Sequence, residues 1–123
     1  MISRYLLLGV LFVVTVLQAD YLKVENPNGA DFFLMIVDEQ NVDFTTERDQ
    51  ATNFMVLSGG QDPFGKLFWI KYDNQFLAVQ GDQQLFLVPK KYKTGAEWTA
   101  PHSTAPEYAR LENQRVVLIR ECA

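Results

Sequence analysis

The stretch KLFWIKYDNQFLAVQGDQQLFLV, residues 66–88, decides the fold. It holds three runs rich in aromatic and branched residues, at 67–72, 76–79 and 85–88, parted by short polar links. Such runs, bounded by Gly, Asn and Asp, read as strands. Asp73-Asn74 joins the first two. Both residue types tolerate the left-handed backbone that a two-residue hairpin turn requires. Gly81-Asp82 makes the second link in the same way. The spacing predicts a three-stranded antiparallel meander. Along its first strand, alternation puts Phe68, Ile70 and Tyr72 on one face and Leu67 and Trp69 on the other.

Further strands are expected on both sides, at residues 21–24, 32–37, 53–57 and 116–119, with a weaker candidate at 42–45. Two places compete for helix. Thr104 with Glu107 matches a capping box, whereas residues 108–111 also alternate as a strand does, and a strand or a single turn is the reading favoured there. Residues 46–52 suit a short helical turn. The class is all-β either way. Residues 32–37, 67–70 and 116–119 are apolar without interruption. A strand buried on one face shows polar residues at alternate positions, so unbroken runs imply cover on both faces.

A weak self-match pairs residues 21–24 with 76–79 and residues 54–57 with 108–111. The central stretch has a stronger likeness. Residues 54–57, Gly65 to Ile70, Phe76-Leu77-Ala78-Val79, the Gly81-Asp82 turn and Leu85-Phe86-Leu87 together resemble one lobe of a β-trefoil of the fascin-like, growth-factor-like or ricin-B-like kind. In these families a lobe is four short strands, commonly with an aromatic-Leu-Ala-Val strand and a following Gly-Asp turn. The resemblance spans about 35 residues, and the whole chain amounts to about two lobes where the family has three. The Gln-x-Trp motif usual at ricin-B-like sugar sites is absent. The likeness therefore implies architecture alone: a small β-barrel or β-trefoil-like domain, with a β-sandwich as the alternative.

The ends of the chain speak to address. Arg4 precedes an apolar stretch at 5–17, the length of a signal-peptide core and short of the roughly 20 residues that cross a bilayer. Residues 1–19 read as a secretory signal cleaved after Ala19, leaving a single domain at 20–123 with no membrane span. Without Arg4 the chain keeps ten basic against fifteen acidic residues, a net charge of −5. That balance argues against nucleic acid, whose phosphates call for a basic face. The only cysteine, Cys122, is odd in a secreted chain and points to an intermolecular disulfide, hence a homodimer, or to a free thiol at the tail.

Catalytic chemistry finds few carriers. His102 is the sole histidine, and with Cys122 it supplies two of the three or four ligands that zinc needs. Ser58 and Ser103 sit in no nucleophile context. The oxygen-rich segment 25–31 lacks the spacing of a calcium loop. The expectation is a protein with no enzymatic activity, no cofactor and no metal. Lys90-Lys91-Tyr92-Lys93 is the one basic cluster, and Trp98 follows it. The lysines suit a sulfated glycan or an acidic protein face, and Trp98 suits stacking on a sugar or anchoring a contact. The same residues also fit a solvated loop with Trp98 in the core. The leading reading is a secreted binding module that meets a protein or glycan partner through a loop at 89–106. The alternatives are a small barrel that carries an apolar molecule and a self-associating extracellular structural protein.

Overall fold

A computed structural model of the chain describes residues 19–24, 29–39, 41–62, 65–90, 95–101 and 110–122. Ten strands follow in order: β1 (Asp20–Val24), β2 (Phe32–Ile36), β3 (Val42–Thr45), β4 (Met55–Asp62), β5 (Gly65–Tyr72), β6 (Gln75–Val79), β7 (Leu85–Val88), β8 (Trp98–Pro101), β9 (Arg110–Asn113) and β10 (Val116–Cys122). One 3₁₀ turn, Arg48–Gln50, lies between β3 and β4. The fold is all-β, and every strand pair is antiparallel within a single sheet. The expected meander is β5–β6–β7. Asp73 takes a left-handed φ of 55° and sets Tyr72 opposite Gln75. In the second link the left-handed residue is Gln83, with φ 68°, and not Gly81.

The sheet runs β3-β2-β1-β10-β9-β8-β5-β6-β7, with β4 added on β5. Two isolated bridges tie it further. Asp20 and Phe54 exchange backbone hydrogen bonds, both of 2.9 Å, and Asn41 bridges to Phe86. Counting the Asp20–Phe54 bridge, strands β1, β4, β5, β8, β9 and β10 each have two neighbours among the six and form a ring. Antiparallel pairing around that ring makes β1, β5 and β9 run the same way. The β2–β3 hairpin leaves at the C-terminal end of β1, and the β6–β7 hairpin leaves at that of β5. At the third such position β9 turns straight into β10 through Gln114 and Arg115, at φ 48° and 73°. Of the three ring strands that run the same way, β1 and β5 thus lead into a hairpin and β9 turns straight back.

The core fills the ring. Leu22, Phe54, Ile70, Trp98, Leu111 and Leu118 are fully buried there, joined by Leu34, Leu77 and Leu87 from the hairpins. Each such side chain contributes about 1.5–3 kcal/mol through burial. The chain itself covers part of the uninterrupted apolar runs, while Phe32 and Val37 stay exposed. Phe33, on the outer face of β2, packs edge-on against Tyr21 at 6.3 Å, and Arg48 of the 3₁₀ turn lies 4.7 Å over the Tyr21 ring. Trp69, on the outer face of β5, lies against Gly59, where any Cβ would strike the indole.

Two expectations need correction. Residues 89–106 are not one loop, because Trp98–Pro101 forms ring strand β8, paired with both β5 and β9. The self-match of residues 21–24 with 76–79 pairs ring strand β1 with hairpin strand β6, whereas the ring makes β1 equivalent to β5. The signal-peptide core, the oxygen-rich residues 25–28 and the capping box at Thr104 lie outside the described residues.

Candidate binding surface

Of the five residues proposed for binding, the structure places two. Lys90 is exposed just past β7. Lys91, Tyr92 and Lys93 lie outside the described residues. Trp98 is fully buried in the ring, and its Nε1 donates to the Leu77 carbonyl at 3.0 Å. That overturns its reading as a stacking surface. An indole with both its apolar body and its polar edge satisfied inside the core is part of the scaffold. Lys90 and Trp98 are therefore not parts of one surface.

What Trp98 does is hold the end of the segment that carries the lysines. Just before it, Ala96 is fully buried against Ala78 and Val88. The Gly95 carbonyl accepts from Val79 N at 2.9 Å and from Asn113 Nδ2 at 2.6 Å. Gly95 itself has φ 91°, and a Cβ there would lie 2.5 Å from the Val79 carbonyl oxygen. Gln114 completes the knot by donating from Nε2 to that same oxygen at 3.0 Å. At the other end, Val88 is buried and Pro89 exposed. On either side of residues 91–94, the described chain is therefore anchored in the core at Val88 and at Ala96.

A second feature was not foreseen. Between the end of β1, strand β3, the β6–β7 turn and the β9–β10 turn, the surface dips into an open notch of about 410 Å³. Val24, Leu85, Val116 and Val117 line it half-buried, with Phe44, Gln83 and Arg115 exposed around them. Phe44 is 43% and Phe32 40% exposed, yet both belong to the inward face of their hairpin. Register makes this plain: Phe44 is opposite Leu34 and Phe32 opposite Val24, and Leu34 and Val24 pack in the core cluster. The sequence pattern of Phe44 and Phe32 is that of buried residues, so nothing short of the topology marks them as exposed. A separate groove of about 530 Å³ lies between the β2–β3 and β5–β6 turns, with Asp38, Glu39 and Asp73 on it.

Elsewhere charge serves the scaffold. Glu121 accepts from Arg48 at 2.8 Å and pairs with Lys23 at 3.3 Å, and Lys23 also reaches Asp31 at 3.3 Å. The Arg48 bond holds the Glu121 carboxyl below its ordinary range against the opposing effect of burial. Lys23 loses some charge stability to burial, but Glu121 and Asp31 carry its pKa upward overall. Asp20, buried beside the ring bridge, pairs with Arg120 at 2.9 Å. Cys122 is an exposed free thiol at the end of β10, opposite Asp20. Among the described residues no three histidine, cysteine or carboxylate side chains cluster as metal ligands, and no helix is long and apolar enough to cross a membrane. His102 and Ser103 lie outside those residues.

No family model, curated protein or solved structure matches this chain.

Proposed function

We propose that this chain is a secreted, non-enzymatic binding module built on a trefoil-like ring with two of three cap hairpins, and that it meets a protein or glycan partner through the segment at 89–94. The observation that carries this reading is the way the segment is held. Val88 on one side and Gly95, Ala96 and Trp98 on the other are locked into the core, while the four residues between Pro89 and Thr94 are three lysines and a tyrosine. A rigid scaffold that fixes both ends of a short polar segment lowers the ordering cost of binding. In a chain of net charge −5 after signal removal, a local cluster of three lysines favours an anionic surface such as a sulfated glycan or an acidic protein face. The small-molecule carrier draws less support, since Leu22, Phe54, Trp98 and Leu118 occupy the interior of the ring.

The test compares the chain from Asp20 onward with its Lys91→Glu, Lys93→Glu variant on an immobilised sulfated glycan and on an immobilised acidic protein. Wild type is expected to be retained at low salt on at least one, and the variant to elute markedly earlier with an unchanged melting temperature. Equal elution of the two proteins on both matrices removes this segment from the interface. Secretion is checked separately by N-terminal sequencing of the exported chain, which is expected to begin at Asp20.

A further inference from the structure

We infer that the notch beside Phe44 is a surface site for a small amphipathic anion, with Arg115 taking the carboxylate or sulfate and the apolar floor taking the body of the molecule. This goes beyond the reading above and does not depend on it. The notch lies outside the ring interior, which the core fills, and neither Pro89 nor Lys90 lines it.

The lining divides by chemistry. Val24, Leu85 and Val116 are half-buried and pack against the core cluster, so together they make an apolar floor. Val117 adds a further half-buried side chain, and Phe44, 43% exposed, supplies an aromatic one. The two polar members are Gln83 from the β6–β7 turn and Arg115 from the β9–β10 turn. A volume of about 410 Å³ falls at the lower end of the range for small-molecule sites. Apolar surface with a small number of polar groups is the pattern by which such sites gain affinity and fix orientation.

Charge decides the class of ligand. Arg115 is the only charged residue among the described residues that line the notch. It is exposed and pairs with no carboxylate among the described residues, so its guanidinium is open to an anion. Two nearby carboxylates in the chain are directed elsewhere. Asp43 precedes Phe44 in β3, where alternation turns it to the opposite face, and its Oδ1 accepts from Phe44 N at 2.8 Å. Asp82 precedes Gln83, and its Oδ1 accepts from Gln84 N at 3.2 Å within their own turn. The backbone presets both polar side chains. Gln83 and Arg115 have φ 68° and 73°, a region that glycine enters without strain, yet each places a long polar side chain there. Their turns are tied down by Gln83 N to the Gln80 carbonyl at 2.8 Å and by Gln114 Nε2 to the Val79 carbonyl at 3.0 Å. Such preorganisation lowers the ordering cost of binding. A free molecule fits better than a bilayer, because the net charge of −5 after signal removal opposes approach to anionic lipid.

The experiment titrates the chain from Asp20 onward with decanoate, kept below its micelle-forming concentration, by calorimetry and by amide chemical shifts. A dissociation constant of roughly 0.1–1 mM is expected, the scale for a ligand of this size, with shifts centred on Gln83, Leu85, Arg115 and Val116. Decanol keeps the chain without the charge and acetate the charge without the chain, and each is expected to bind about tenfold more weakly. Arg115→Gln is expected to weaken decanoate about tenfold and leave decanol unchanged, whereas Phe44→Ser weakens both. Both replaced side chains are exposed, and circular dichroism confirms that the variants are folded. The Lys91→Glu, Lys93→Glu variant is expected to bind decanoate as wild type does, so the lysine segment and the notch fail or stand separately. Absence of saturable decanoate binding, an affinity that Arg115→Gln leaves unchanged, or one that the lysine variant loses would each overturn the inference. So would cosedimentation with anionic phospholipid vesicles that Arg115→Gln abolishes, which would assign the notch to a membrane surface.

Discussion

Two glycines put the local argument to a direct test. Gly95 has φ 91°, a conformation that side chains avoid, and a Cβ there would press on the Val79 carbonyl oxygen at 2.5 Å. That oxygen already accepts from Gln114, so it cannot retreat without loosening the β9–β10 turn. Gly95→Ala is expected to cost about 2–3 kcal/mol. Gly81 is the opposite case. Its φ is not positive and nothing lies within 4 Å of an added Cβ. Gly81→Ala is expected to gain about 0.5 kcal/mol, because it restricts the unfolded chain without straining the folded one. Urea midpoints at unchanged slope check both. A loss at Gly81 would show that this turn needs glycine after all. The sequence places a turn at Gly81-Asp82 correctly, but cannot say which residue takes the left-handed backbone. That is decided by the closing bonds, Gln83 N to the Gln80 carbonyl at 2.8 Å and Gln80 N to the Gln84 carbonyl at 2.9 Å.

Between elements, the 3₁₀ turn at Arg48–Gln50 is a strap rather than a helix with a core face of its own. None of its residues is buried. What holds it is Arg48, which stacks over Tyr21, donates to Glu121 and donates from Nη2 to the Cys122 carbonyl at 2.7 Å. The strap thus spans β1 and β10 from outside, over the Tyr21 ring against which Phe33 packs. Its electrostatic part is pH-dependent with a definite sign. The folded Glu121 carboxyl is held below its ordinary value of 4.5, so its contribution is complete above that value. It is lost as the pH falls through the lower, folded value. Glu121→Gln is expected to cost about 0.5 kcal/mol at neutral pH, the scale of a half-exposed ion pair, and progressively less as acid protonates the carboxyl. A cost that persists in acid would assign the effect to packing. Local chemistry made the hairpins readable in the sequence, since Asp73-Asn74 and Gly81-Asp82 announce their turns within four residues. Strand β8 escaped because Trp98-Thr99-Ala100-Pro101 is short, ends in proline and follows a basic segment. Its partners, Leu67 and Glu112, are distant in sequence.

At the scale of the whole molecule, the ring is closed narrowly at two places. Four of its six junctions are strand ladders, whereas β8 and β9 are in register at Thr99 and Glu112 alone and β1 meets β4 only through the two backbone bonds between Asp20 and Phe54. Asp20 also sends its carboxylate to Arg120, so one residue at the start of β1 fixes both neighbours of that strand. The sequence marks Asp20 only as the residue after the expected cleavage point. Neither its burial nor its bridge is written locally, because both depend on Phe54 and Arg120 arriving from 34 and 100 residues away. The consequence can be measured with two chains that differ by one residue, one starting at Asp20 and one at Tyr21. The shorter chain lacks both closing bonds and the ion pair, together worth about 3 kcal/mol. In a domain of this size that is a fall of roughly 15 °C in melting temperature. Asp20→Ala keeps the backbone bonds and loses only the carboxylate, so it is expected to fall about half as far. If the chain from Tyr21 melts with the chain from Asp20, the bridge is not what closes the ring, and the packing of Phe54 and Leu22 across the gap holds it shut instead.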